Sequence, residues 1–134
     1  MTLYLDTSSL VKLYIDERGS EDVARLVGES DVVATSALAY PEARATFTRR
    51  RRERLMTAAQ TANAIAQLDA DWPRFVVIPL DEPAARSAGQ LADVHGIRGG
   101  DAAHLAAFEL LLSHDDVRFS CADERLAKAA RGLG

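Results

Sequence analysis

Four short apolar runs, each followed by a longer stretch with helical spacing, constrain this chain more than any other feature. The runs are Leu3-Tyr4-Leu5, Asp31-Val32-Val33-Ala34-Thr35, Phe75-Val76-Val77-Ile78-Pro79-Leu80 and Val117-Arg118-Phe119-Ser120. Short strands separated by helices do not pair as hairpins; they pair in parallel, with the helices covering both faces. The expected fold is α/β, with a short central parallel sheet of four or so strands flanked by helices on both faces. A chain of 134 residues is long enough for one core and too short for two, so residues 1–134 are expected to form a single domain.

The intervening stretches carry helix signals. Thr7 or Ser8 caps a short helix bearing Leu10, Val11, Leu13 and Tyr14, and Ser20 begins another with Glu21 and Asp22 in its first turn. Ser36 caps a longer helix to about Arg54, which puts Glu42 about two turns in and Pro41 where it either kinks the helix or sits as a tolerated irregularity. A separate helix runs from Thr57 to Asp71, and Asp81 caps the next, with Pro83 in its first turn. Gly99 and Gly100 read as a turn, after which Asp101 opens a segment that is apolar nearly all round. Such a helix is central and buried. A last helix opens at 122–126 and runs toward Gly132.

The first apolar run ends in a carboxylate and three hydroxyl residues, Asp6-Thr7-Ser8-Ser9. In a parallel α/β sheet, ligands sit beyond the carboxyl ends of the strands, where the following helices start. Asp6 and Asp123 each follow a strand, Asp101 opens the buried helix, and Glu42 lies on the helix after the second strand. All four are expected to converge at that edge. At about 5 Å and an effective dielectric near 20, each pair of like charges costs on the order of 3 kcal/mol. A divalent cation offsets that cost, and an all-oxygen site suits Mg²⁺ or Mn²⁺. Such an ion lowers the pKa of bound water and clamps phosphate oxygens. Taken singly, Asp101 and Asp123 are better explained as helix N-caps than as site residues, and Glu42 is equally a solvated helix residue.

Together the segments Leu5-Asp6-Thr7-Ser8, Ser36-Ala37-Leu38-Ala39-Tyr40-Pro41-Glu42, Gly100-Asp101-Ala102-Ala103-His104-Leu105-Ala106 and Phe119-Ser120-Cys121-Ala122-Asp123-Glu124-Arg125-Leu126 resemble the PIN-domain nucleases. Within these the chain is most similar to the VapC toxins of bacterial and archaeal toxin–antitoxin pairs. The resemblance spans essentially the whole chain, in order. It implies Asp6, Glu42, Asp101 and Asp123 as an acidic quartet, with Asp6 and Asp101 the most direct metal ligands and Thr7, Ser8 and Ser120 supporting the site by hydrogen bonds. It further implies cleavage of RNA phosphodiesters dependent on Mg²⁺ or Mn²⁺, with a metal-activated water as nucleophile. A homodimer and inhibition by a small antitoxin, which inserts a segment near the active site, are implied as well.

Several residues stand outside this quartet. Arg44, Arg49, Arg50, Arg51, Arg52 and Arg54 are concentrated on one helix end in a chain of formal net charge −4. Four consecutive helical residues span the whole circumference, so Arg49 to Arg52 cannot all be buried. They suit contact with an RNA backbone or an acidic antitoxin segment, or form a solvated helix end. Arg98 touches substrate phosphate or merely flanks a turn. His104, one turn after Asp101, is read as a core residue and left outside the candidate set. Cys121 is read as a packing residue, and a single cysteine excludes a disulfide framework and a Cys-based zinc site.

No signal peptide is expected, since Asp6 and Lys12 interrupt the first apolar run, and no stretch nears the roughly 18 apolar residues of a spanning helix. The expected location is the cytoplasm, with no membrane partner. Two other readings compete. A haloacid-dehalogenase-type phosphatase also starts with an Asp after an apolar strand, but wants a second Asp where this chain has Ser8. A non-catalytic RNA- or protein-binding module would keep the fold and use only the arginine face.

Overall fold

The computed structural model describes residues 1–114 and 116–133. Four strands, Thr2–Leu5 (β1), Val32–Ser36 (β2), Val76–Ile78 (β3) and Val117–Ser120 (β4), form one sheet in the order β3-β2-β1-β4. Every pairing is parallel. The described α-helices are Thr7–Leu10 (α1), Ser20–Glu29 (α2), Ala39–Arg52 (α3), Ala58–Asp71 (α4), Glu82–His95 (α5), Gly99–Leu112 (α6) and Glu124–Leu133 (α7). The α/β architecture expected from the alternation is the one observed.

The lack of polar alternation in β1 follows from its place. It is flanked by β2 and β4, and all four of its residues are buried. Successive side chains point to opposite faces. Leu3 and Leu5 pack with Leu10, Phe47 and Leu68 on one side, while Tyr4 packs with Leu105, Phe108 and Leu126 on the other. Tyr4 is further fixed by stacking on Phe119 at 5.4 Å between ring centroids, and Phe119 in turn meets Phe108 at 4.9 Å.

Element boundaries differ from the sequence expectations at several places, each for a local reason. The cap of α1 is Asp6 rather than Thr7 or Ser8: its side chain accepts from the Ser9 N–H. Helix α3 starts at Ala39, because Ser36 completes β2 and its hydroxyl accepts from the Leu38 N–H in the connecting turn. Glu42 therefore lies in the first turn of α3, not the second. Pro41 lies in that turn too, where its missing N–H leaves no intrahelical bond unmade. Helix α3 ends at Arg52, and Arg54 takes a left-handed conformation at φ 62°.

Thr57 caps α4 through a reciprocal bond with Gln60, and Asp81 caps α5 as expected. Strand β3 spans three residues instead of six and stops before Pro79, which has no N–H to continue the ladder. Gly96 ends α5 in a left-handed conformation, φ 61°. Gly99 and Gly100 are not a turn but the first two residues of α6. That helix is central as expected, with Ala102 through Phe108 all buried. Among the described residues no helix is long and apolar enough to cross a membrane.

Candidate active site

The strand register brings the carboxyl ends of β1, β2 and β4 to one edge. Leu5 pairs with Ser120, and the Asp6 N–H extends that ladder to the Ser120 carbonyl at 3.2 Å. Asp6 therefore stands directly beyond the central strand and is only 3% exposed. Its Oδ1 accepts from the Ser9 N–H at 2.9 Å and from the Ser8 hydroxyl at 2.7 Å. Ser8 also accepts from the Ala122 N–H at 3.0 Å, tying Asp6 to the loop between β4 and α7. The Ser120 hydroxyl bonds to the Ser9 hydroxyl at 2.9 Å, so the Ser120 side chain reaches the Asp6 carboxylate only through its neighbour, while its carbonyl takes the Asp6 N–H. Ser9 was not singled out from sequence, where it is one hydroxyl among three.

Glu42 enters from α3. Its Oε1 accepts from the Thr7 hydroxyl at 2.5 Å and lies 3.1 Å from His104 Nε2. Its Oε2 faces the first turn of α6, where a Cβ on Gly100 would come within 2.9 Å of it. That close approach, not a turn, is what a side chain at position 100 would disturb. Asp101 follows on α6, and Asp123 caps α7 by accepting from the N–H groups of Arg125 at 2.8 Å and Leu126 at 3.2 Å. The neighbouring Glu124 turns away and pairs with Arg131. Asp123 is thus the acid that faces the edge, and it is a helix cap as well.

The four carboxylates do not all open into one cleft. Asp101 and Asp123 line a polar cleft with Arg98, Arg125, Gly96 and Ile97, and neither Asp6 nor Glu42 is part of its lining. Their charges are nevertheless linked through Asp101. Burial pushes the Asp101 carboxyl up, Asp123 and Glu42 push it further, and His104 and Arg98 pull it back. Burial likewise raises Asp6 against the lowering effect of the Ser8 and Ser9 hydrogen bonds, and Asp101 adds to the rise. Burial alone would raise Glu42, but the hydrogen bonds from His104 and Thr7 outweigh it and leave this carboxyl below its ordinary value.

Among the described residues no three His, Cys, Asp or Glu side chains converge on a ready-made metal cage. The donor set still fits a hard divalent cation. It is all oxygen, its charges raise one another's proton affinity, and Mg²⁺ in particular keeps most of its waters and needs only one or two carboxylates.

His104, set aside in the sequence as a core residue, is buried as expected but not inert. It is 2% exposed, and its ring joins Tyr4, Thr7 and Glu42 by hydrogen bonds. Burial, then the Asp6 and Glu42 charges, hold the Tyr4 phenol well above its ordinary value and so protonated. Arg125, also not singled out, lines the acidic cleft and donates to the Gly96 carbonyl at 3.4 Å. Cys121 is a packing residue with no thiolate activation: burial and the nearby carboxylates push its thiol up to about 12, and it donates to the Asp123 carbonyl at 3.3 Å.

The arginine-rich end of α3 is elsewhere. Ten residues separate Glu42 from Arg52, about 15 Å along the helix axis. Arg50 is engaged by Glu17 at 2.6 Å, and Glu17 also takes the Lys12 ammonium at 3.0 Å. Arg44 lies over the Tyr40 ring and donates to its hydroxyl at 3.1 Å. Arg49, Arg51 and Arg52 are exposed.

Two ribonucleases of Mycobacterium tuberculosis, VapC45 and VapC49, are each 33% identical to this chain over 132 residues, covering 98% of it and 91% of the relative. The FitAcB structure from Neisseria gonorrhoeae superposes with a TM-score of 0.71 at 22% identity, over 96% of this chain and 93% of that one. VapBC2 from Rickettsia felis, bound to a DNA fragment from its promoter, superposes at 0.55 with 15% identity, over 80% and 79%. These two likenesses speak for the fold. The PIN-domain family model matches residues 3–132, and with that match, the four-strand parallel sheet and the acids gathered at its carboxyl edge, the chain belongs to the PIN-domain family.

Proposed function

We propose that this protein is a metal-dependent endoribonuclease and the toxin of a toxin–antitoxin pair, a single domain over residues 1–134 that acts in the cytoplasm. The observation that carries the proposal is the arrival of Asp6, Glu42, Asp101 and Asp123 at one sheet edge from four separate elements, with Asp101 electrostatically linked to the other three. The ribonuclease names of relatives that cover nearly the whole chain support the same reading. RNA is the substrate, a small antitoxin the inhibitor, and a homodimer the working assembly.

Asp6 and Asp101 would hold Mg²⁺ or Mn²⁺, with Glu42 and Asp123 completing the acidic surround. When bound, such an ion supplies a water of lowered pKa and positive charge to offset a phosphodiester's oxygens. The chain's own residues do the rest. Ser8 and the Ser9 N–H hold one Asp6 oxygen, which orients the other toward the edge. His104 and Thr7 hold Glu42 ionised and fixed, so that it receives or directs a proton from an attacking water. Arg98 and Arg125, exposed beside Asp101 and Asp123, suit contact with the RNA phosphates flanking the scissile bond. Arg44, Arg49, Arg51 and Arg52 are left for more distant backbone or antitoxin contact, and Arg50 has its guanidinium on Glu17.

The test is cleavage of total RNA by the purified protein with Mg²⁺, with Mn²⁺ and with chelator, alongside Asp6→Asn and Asp101→Asn. Cleavage by the wild type alone, abolished by chelator, is the expected result. Equal cleavage by all three proteins would sink the metal-nuclease reading. RNA retention without cleavage under any condition would favour a non-catalytic binding module.

A further inference from the structure

Two groups, Thr7 and His104, meet at Glu42 Oε1. Thr7 has one hydroxyl proton, and at 2.5 Å it goes to Glu42 Oε1. The Thr7 oxygen then faces His104 Nε2 at 2.9 Å with only lone pairs to offer, and Glu42 Oε1 faces the same nitrogen at 3.1 Å. Two acceptors converge on Nε2, so that nitrogen carries a proton. On the far side of the ring, the Tyr4 hydroxyl lies 2.8 Å from Nδ1. A phenol that donates to Nδ1 fixes the ring proton on Nε2, in the way an outer hydrogen bond fixes the tautomer of a metal-bound histidine. Tyr4 itself cannot turn, being locked in the Phe119 stack and edge-on to His104 at 5.9 Å.

We infer that Tyr4 and His104 are a positioning pair: the Tyr4 hydroxyl sets the His104 ring so that its Nε2–H, with Thr7, clamps Glu42 Oε1 and leaves Oε2 facing Gly100 beside Asp101. The inference rests on the proposed role of Glu42 in RNA cleavage, but its geometric part does not. The packing explains why the pair is buried whole. Neither ring reaches the cleft, so neither is a catalytic residue; both act through Glu42. The clamp also gives glycine at position 100 a reason, because a carboxylate held through Oε1 yields less readily to a side chain placed against Oε2.

Two measurements test it. Long-range ¹H–¹⁵N correlation spectra of the wild-type imidazoles, without added metal, should show His104 with Nε2 protonated and Nδ1 bare. Tyr4→Phe, a replacement of nearly equal shape, should let the proton distribute between the two nitrogens. A wild-type ring with its proton on Nδ1, or a spectrum indifferent to Tyr4→Phe, overturns the inference.

In the second measurement His104→Gln can keep an amide N–H at the Nε2 position, whereas the shorter His104→Asn cannot reach Glu42. With a mixed-sequence RNA and Mn²⁺, the Asn variant should lose about 10–100-fold in kcat with little change in KM, and the Gln variant should recover most of it. Equal rates for the two variants, with both shown folded by circular dichroism, also overturn the inference. If Glu42→Gln cleaves RNA as well as the wild type, or if the wild type does not cleave, the proposed function fails while the spectra still decide the tautomer. If neither His104 variant folds, the wild-type and Tyr4→Phe spectra decide alone.

Discussion

The acidic edge and the arginine-rich end of α3 make opposite use of distance along the chain. Asp6, Glu42 and Asp123 lie far apart in sequence and meet at one edge, because parallel strands end together and the next helices begin there, and Asp101 joins them from the start of α6, which follows α5 rather than a strand. The arginines between positions 44 and 54 are neighbours in sequence and scatter in space. Arg50 turns to Glu17, Arg44 lies on Tyr40, and Arg54 sits in a left-handed turn beyond the helix. Residues one apart on a helix point about 100° apart, so a contiguous run cannot form a converging site. Spacing across elements builds a site here; density within one element builds a solvated end with a structural ion pair inside it.

The sharpest way to break this contrast is at the acids. Asp6→Asn and Asp101→Asn should each lower RNA cleavage at least about 10²-fold, on the scale of losing a preorganised charge-stabilising group, while circular dichroism shows the fold kept. A variant in which both remain active would place the chemistry elsewhere. Gly100→Ala comes next, since it alters no acid. The added methyl meets Glu42 Oε2, and Thr7 and His104 hold the other oxygen in place. Cleavage should drop about 10–100-fold, as for the loss of an outer-shell partner, although alanine is the better helix former. Thermal stability should therefore not fall with activity, and parallel melting and rate measurements would show it.

The acidic edge should also leave a mark on stability. Burial and mutual repulsion raise Asp6 and Asp101 in the folded protein. A raised carboxyl binds its proton more readily folded than unfolded, so without divalent ions stability falls as pH rises from the ordinary carboxylate range through the folded pKa. Melting temperatures in chelator should be higher at mildly acidic pH than near neutrality. Asp101→Asn should flatten that slope and raise the neutral-pH melting point. A wild-type slope unchanged by the substitution would remove the edge as its cause.

The smallest effects belong to the other end of the contrast. Glu17 is pushed up by burial, but the Lys12 and Arg50 hydrogen bonds outweigh this and hold it below the ordinary range. Its contribution is therefore present at neutral pH and lost as pH falls through the folded pKa. Arg50→Ala should cost about 1 kcal/mol in denaturant unfolding at neutral pH, near the top of the range for partly exposed pairs. Arg49→Ala and Arg52→Ala should stay within about 0.5 kcal/mol. Equal losses at all three positions would mean that the run acts as a unit after all.

Most of the frame was legible beforehand, because it follows from short-range rules. Leu3-Tyr4-Leu5 reads as a doubly covered strand, Ala102 to Phe108 as a buried helix and Asp81 as a cap, since burial and capping depend on the residue and its near neighbours. The boundaries that moved were set by contacts across the fold. Ser36 stays in β2 because it pairs with Ile78 of β3, which puts Glu42 in the first turn of its helix. Gly99 and Gly100 look like a turn in one dimension, and only the presence of Glu42 across the gap gives Gly100 its reason.

By itself, then, the sequence determined the α/β class, the strand-tip position of Asp6 and the set of acids worth following, since periodicity and end signals are local properties. The tertiary structure alone decided which of their oxygens are taken. It placed Ser8 and Ser9 on Asp6, Thr7 and His104 on Glu42, and Glu124 away from the edge. Hydrogen-bond partners a hundred residues apart are chosen by strand register and helix packing, which no local pattern encodes. For that reason His104, which in one dimension is a lone histidine in an apolar helix, joins the acids only after the chain has folded around Tyr4.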